Sequence, residues 1–190
     1  MAFTTGRRIP PQLNDSSLQE LALRYVGKYA TTRAKLRTYL SRKVRERGWQ
    51  GSSGPDVDAL AERFAELGYI DDAAYALIKS RSLAGRGYGK RRLSDKLRLD
   101  GVSDSDGAAA HDHADREAVA VALRFAERRK IGPFASTAAD PALRQKWVGA
   151  LVRAGHPFGM AQAIARMPPG TDVDLDELNE LFGGSDRNLD

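Results

Sequence analysis

The residues with the most evident chemical potential stand in Gly85-Arg86-Gly87-Tyr88-Gly89-Lys90, a glycine-rich basic turn that superficially looks like a phosphate loop. Its spacing departs from that motif. Ala84 stands where the first glycine belongs, Arg91 replaces the Ser or Thr that would hold magnesium, and no strand pattern precedes the turn. His111-Asp112-His113, with Asp115, offers metal-ligating residue types, but residues two apart point to different sides of a helix. A solvated linker, or a short, poorly packed helix, is the expectation for 103–115. His156 falls at a helix end and reads as structural. No Ser/His/Asp arrangement stands out, and the chain has no cysteine, which removes disulfides, thiol catalysis and Cys-based zinc sites. The expectation is a chain without catalytic residues, metal ligands or cofactors, and not an enzyme.

The basic residues carry more information. Between Arg24 and Gly48 there are nine Lys/Arg and a single acid, Glu46; between Lys79 and Arg98 there are eight and a single acid, Asp95. At 100° per residue, Lys35, Arg42 and Arg45 fall opposite Leu36, Leu40 and Val44, with Thr38 among them, and Arg91, Arg92 and Arg98 fall away from Leu93 and Leu97. A neutral solvated face mixes signs through Glu–Lys pairs one turn apart, whereas here the acids collect in 100–115 and 171–190. Lys35, Arg37, Arg42, Arg45, Arg86, Lys90, Arg91, Arg92 and Arg98 are therefore the candidate face for DNA or an acidic partner. The net charge of +5 and pI near 9.6 point the same way. No helix presents an Asn, Gln or Arg set suited to base readout, so any DNA binding is expected to be weak in sequence preference.

These residues must be positioned by helices, because no stretch alternates as a half-buried strand does. Residues 1–16 lack periodicity and read as a flexible arm. Ser17 with Glu20 makes a capping box for a helix whose face is Leu18, Leu21, Ala22, Tyr25, Val26 and Tyr29. Thr31 or Thr32 caps the next, with Leu36, Leu40 and Val44 before Gly48; Pro55-Asp56 starts a third, with Val57, Leu60, Phe64 and Leu67. Asp71 caps a fourth, with Ile70 and Tyr75 as a hydrophobic staple, and Gly85, Gly87 and Gly89 turn the chain into the basic helix that Gly101 stops. Ala118, Val121, Ala122 and Phe125 open another, broken at Gly132-Pro133. Asp140-Pro141 starts the helix of Leu143, Trp147, Val148 and Leu151, which Gly155 closes, and Phe158, Ala161 and Ile164 make a short one. In the acidic tail, Leu175, Leu178 and Leu181 allow one helical turn, with disorder as the alternative.

A long period underlies this pattern. Leu40, Val44 and Gly48 align with Leu93, Leu97 and Gly101, and these with Trp147, Leu151 and Gly155, each preceded by a helix marked by Tyr25, Tyr75 or Phe125. The expected fold is all-α, about three tandem three-helix repeats in an elongated, curved array. Its parts are the arm 1–16, repeats over 17–68, 69–115 and 116–168, and an acidic tail over 169–190.

Gly68-Tyr69-Ile70-Asp71-Asp72, Tyr75-Ala76, then Arg86-Gly87-Tyr88-Gly89 with Arg92-Leu93, Leu97 and Gly101-Val102 resemble the central signature of the RecX family, regulators of the RecA recombinase. The resemblance runs in helix order from about Leu18 to about Met167. In its first unit the family's serine cap and Glu-Leu are replaced by Thr32 and Lys35-Leu36. What the resemblance implies is a protein of tandem three-helix repeats that lodges in the groove of the RecA–DNA filament. There it would inhibit filament assembly, ATP hydrolysis, strand exchange and coprotease activity, within DNA repair and the SOS response. The partners expected on this basis are the RecA filament and, weakly, single- and double-stranded DNA. The chain would be a cytoplasmic monomer without a membrane span.

Overall fold

The computed structural model describes residues 11–182. Among them the chain forms ten α-helices and one short 3-10 turn, with a single isolated bridge between Leu13 and Trp49 as its nearest approach to a strand. The helices are α1 (Asp15–Lys28), α2 (Arg33–Arg47), α3 (Val57–Glu66), α4 (Asp72–Gly85), α5 (Lys90–Leu99), α6 (Asp104–Arg116), α7 (Ala118–Arg129), α8 (Pro141–Arg153), α9 (Phe158–Arg166) and α10 (Leu175–Phe182). They divide between two compact units, Met1–Asp72 and Ala73–Asp190.

In the first unit, Leu18, Ala22, Leu36, Leu40, Ala61 and Phe64 from α1, α2 and α3 bury one core, joined by Ile70 and Leu13. Leu13 belongs to the segment read as an arm. It is fully buried, its amide donates to the Gly48 carbonyl, and its own carbonyl accepts from Gln50. Residues 1–10 of that segment lie outside the described residues. The cap of α1 is also displaced from its expected place: Asn14 accepts from the Ser17 amide while Ser17 Oγ accepts from the Asn14 amide, so Ser17 is the third helical residue and not the cap. Thr32 and Asp56 cap α2 and α3 as their side chains suggest, accepting from Lys35 and Ala59.

The second unit holds two cores. Ala76, Leu93, Leu97 and Ala110 from α4, α5 and α6 make the smaller one. Val119, Ala122, Phe125, Val148, Leu151, Ile164 and their neighbours from α7, α8 and α9 make the larger, which Leu178 of α10 completes. Successive helix triplets thus bury successive cores, the behaviour expected of repeated three-helix units. The segment 103–115, expected as a linker or a poorly packed helix, is α6. Ser103 caps it, and Gly107 and Ala110 are buried. It packs on α5 through small residues: a Cβ on Gly107 would sit at ordinary contact distance, 3.6 Å, from Leu97. The tail forms helix α10 over Leu175–Phe182, and residues 183–190 lie outside the described residues.

Candidate functional site

The α2 surface is built from residues one turn apart. Arg37, Thr38, Ser41, Arg42 and Arg45, with Ala34, Val57 and Asp58, line an open depression of about 590 Å³. Two of its three arginines are matched by acids, Arg37 by acids of α3 and Arg42 by Glu46 of α2 itself. Arg37 pairs with Asp58 at 3.5 Å and Glu62 at 3.7 Å, both carried by α3. Arg42 and Lys43 share Glu46, at 3.6 and 2.6 Å, and Lys43 foremost holds the Glu46 carboxyl below its ordinary value. Arg42 also lies over Tyr39, which stacks on Tyr25 at 4.2 Å. Lys35 is half-buried at the start of α2, and Arg45 is exposed at its far end.

Beside this surface lies a contact that sequence reading missed. Asp72, with its side chain buried, accepts from the Arg33 amide at 3.0 Å and from Arg33 Nε at 3.1 Å. The hydrogen bond to Asp72, followed by that to Glu62 against an opposing burial effect, holds the Arg33 guanidinium above its ordinary value. Asp72 therefore satisfies an orphan amide at the α2 N-terminus from 39 residues away. Asp72 is also the first residue of α4.

The second basic surface surrounds the glycine turn of the second unit. Gly85 ends α4, Gly87 has φ +77° and packs against the Phe125 backbone, and Gly89 caps α5. The Gly89 and Arg91 amides donate to the Ala154 and Gly155 carbonyls at 3.0 and 3.3 Å. The carbonyls ending α8 thus occupy amides at the α5 N-terminus that a phosphate would need. His156 follows and is buried. Its Nε2–H donates to the Gly87 carbonyl at 3.0 Å, and its ring meets Phe125 at 5.9 Å. Burial pushes its pKa down, against the opposing pull of that hydrogen bond.

Around this turn the expected residues fare differently. Arg86 and Arg92 lie over the Tyr88 ring, 5.1 and 5.8 Å from its centroid. Lys90 pairs with Asp115 at 2.9 Å and Arg98 with Asp95 at 2.8 Å. Arg91 points an exposed side chain outward. Two further arginines, not expected from sequence, join them: Arg124 donates to the Ala84 carbonyl at 2.9 Å and Arg128 to the Arg86 carbonyl at 3.1 Å. Both close the C-terminal end of α4, where exposed carbonyls and the helix dipole favour a cation. Their i,i+4 spacing on α7 is the only signal the sequence carried. The nine expected residues therefore fall on two surfaces, one in each unit.

His111 and His113 sit on α6, where His113 Nδ1 lies 3.0 Å from Ser80 Oγ, a hydroxyl that donates to the Ala110 carbonyl. Among the described residues no three His, Asp or Glu side chains gather as metal ligands would.

Known proteins resemble this chain in sequence and in fold. No protein-family model matches it. A protein of Myxococcus xanthus named regulatory protein RecX is 30% identical, over 86% of this chain and 92% of its own length. The chain belongs to the RecX family. RecX proteins of Agrobacterium fabrum and of a Mycobacterium species are each 31% identical, over 72% and 83% of this chain and 74% and 87% of their own lengths. The crystal structure of RecX from Lactobacillus salivarius shares the fold, with a TM-score of 0.56 at 17% identity, over 78% of this chain and 92% of that one. The all-α helical-repeat fold expected from the residues is thus that of the RecX family. Among the described residues no helix is long and apolar enough to cross a membrane.

Proposed function

We propose that this chain is a non-enzymatic regulator that binds the RecA–DNA filament and inhibits its assembly, ATP hydrolysis, strand exchange and coprotease activity. It works in the cytoplasm as a monomer and touches single- and double-stranded DNA weakly, without sequence preference. The observation that carries the reading is the presence of two cationic surfaces on a chain whose relatives, matched over most of their length, are named regulatory proteins. Lys35, Arg37, Arg42 and Arg45 form the surface of the first unit, and Arg86, Lys90, Arg91, Arg92 and Arg98 that of the second. Pairs such as Arg37 with Asp58 lower a surface's pull on a polyanion without abolishing it, because an exposed ion pair is worth less than about 1 kcal/mol.

The test is DNA-dependent ATP hydrolysis by the cognate recombinase. The purified chain should suppress it at amounts at or below one per recombinase subunit. Unchanged hydrolysis at every ratio would overturn the reading. Reversing Lys35, Arg42, Arg45, Arg91 and Arg92 to Glu should abolish inhibition, and affinity for naked DNA should fall steeply with salt.

A further inference from the structure

We infer that the arginine cluster around the Gly87–Gly89 turn, Arg86, Arg91 and Arg92 together with Arg124 and Arg128 of α7, is the nucleic-acid contact of this chain and takes the phosphodiester backbone of a strand. The inference rests on the proposed reading that the chain touches nucleic acid, and it chooses between the two cationic surfaces.

The first reason is neutralisation. On α2, Arg33, Arg37, Arg42 and Lys43 each meet a carboxylate within the unit, and exposed Arg45 is the exception. Among the described residues none of the five cluster arginines does; their polar and ring contacts go to carbonyls and to Tyr88. Arg124 and Arg128 each spend one terminal nitrogen on a backbone carbonyl, and a guanidinium carries five N–H donors, so most remain available. These two are held in place by the bonds they make, which lowers the entropy lost on binding.

The second reason is geometry. A guanidinium lying over a tyrosine ring keeps its N–H edge toward solvent, the edge that meets a phosphate bidentately. Arg86 and Arg92 both lie over Tyr88, at 5.1 and 5.8 Å from its centroid, and that ring is itself packed against the larger core of the unit.

The third reason is the surrounding surface. A protein partner of any strength buries an apolar centre within a polar rim. None of the exposed large apolar side chains belongs to residues 84–92 or 118–129; a single one, Phe158, follows within two residues of His156, which bonds Gly87. A polar, cationic patch without an apolar centre suits a sugar–phosphate backbone, which is bound by charge and sets no base preference.

The experiment measures anisotropy of a fluorescent oligothymidylate of about 20 nucleotides, titrated with the full chain between about 50 and 200 mM salt. Two variants remove cluster charges, Arg91→Gln with Arg92→Gln, and Arg124→Gln with Arg128→Gln. A control removes the same charge from exposed α8 positions, Arg144→Gln with Lys146→Gln. Each cluster variant should bind at least about ten-fold more weakly, with a salt dependence shallower by roughly one for each phosphate it no longer meets. The control should stay within about two-fold of the parent, as expected where no phosphate is met. Among the described residues the Arg91 and Arg92 side chains bond no backbone carbonyl, so that variant decides the matter even if loss of Arg124 and Arg128 loosens α4. Cluster variants that bind like the control overturn the inference. If such variants also fail to inhibit the recombinase, the cluster serves an acidic protein surface and the proposed function stands without it. Loss of oligonucleotide binding with inhibition intact supports the inference and separates DNA contact from regulation.

Discussion

Asp72 illustrates how a single carboxylate can matter more than its place in a motif suggests. It follows Asp71, the residue expected to cap α4, and its own oxygens bind the Arg33 amide and guanidinium at the start of α2. Those bonds are charge-assisted and shielded from water on the Asp72 side, which makes them stronger than neutral ones. Asp72→Ala should therefore destabilise the first unit by about 2–3 kcal/mol, seen as a fall in Tm of roughly 10–20 °C. Asp72→Asn, which keeps an acceptor but loses the charge, should cost less. Equal stability of parent and alanine variant would show that water replaces the carboxylate without loss. Nothing in sequence reveals this pair, because its partners are 39 residues apart and neither is periodic. The same holds for Arg37 with Asp58 and Lys90 with Asp115. An acid-poor helix read alone looks bare of partners when its neighbours supply them.

Among elements, the legible features are those whose donor and acceptor lie within one turn. Thr32, Asp56 and Asp140 each accept from the amide three residues on, as their types and places suggest. The start of α1 misleads because Ser17 is a good cap in itself, but Asn14 sits one turn earlier and uses it as a partner. Helix α6 misleads because Gly107 and its acids resemble a linker, whereas small residues are what a close helix contact needs. The glycines of the basic turn look equivalent in sequence and are not. Gly85 is helical with open space at its Cβ position, while a Cβ on Gly89 would collide with the Gly155 carbonyl. Gly85→Ala should thus be neutral or stabilising by up to about 1 kcal/mol. Gly89→Ala must push α5 away from the end of α8 or break the amide–carbonyl bonds between them, at a cost of about 2 kcal/mol or more. The urea midpoint of the Gly89→Ala variant should lie below that of the Gly85→Ala variant by about 1 M, for a slope near about 2 kcal/mol/M, and matching midpoints would refute the close approach.

For the molecule as a whole, the two units differ in what proton concentration can do to them. All three histidines, His111, His113 and His156, lie after Asp72, and the chain has no cysteine, so no side-chain type that ordinarily titrates near neutrality belongs to the first unit. His156 is buried beside Phe125 and Gly87, and burial lowers its pKa from the ordinary value of 6.5. The folded state then binds fewer protons than the unfolded one between that lowered value and 6.5. Its stabilising contribution is complete above 6.5 and declines as pH falls below it, because the neutral ring must be charged inside the core or the core must open. Between about pH 7.5 and 5.5 the second unit should therefore lose stability while the first does not. Hydrogen exchange, corrected for intrinsic rates, should quicken for amides of α5, α7 and α8 on acidification, while those of Leu36 and Leu40 in α2 keep their protection. His156→Gln, which has no ionisable ring, should flatten the response of the second unit. Exchange that quickens equally in both units, or a glutamine variant with undiminished acid sensitivity, would show that the buried imidazole does not govern it.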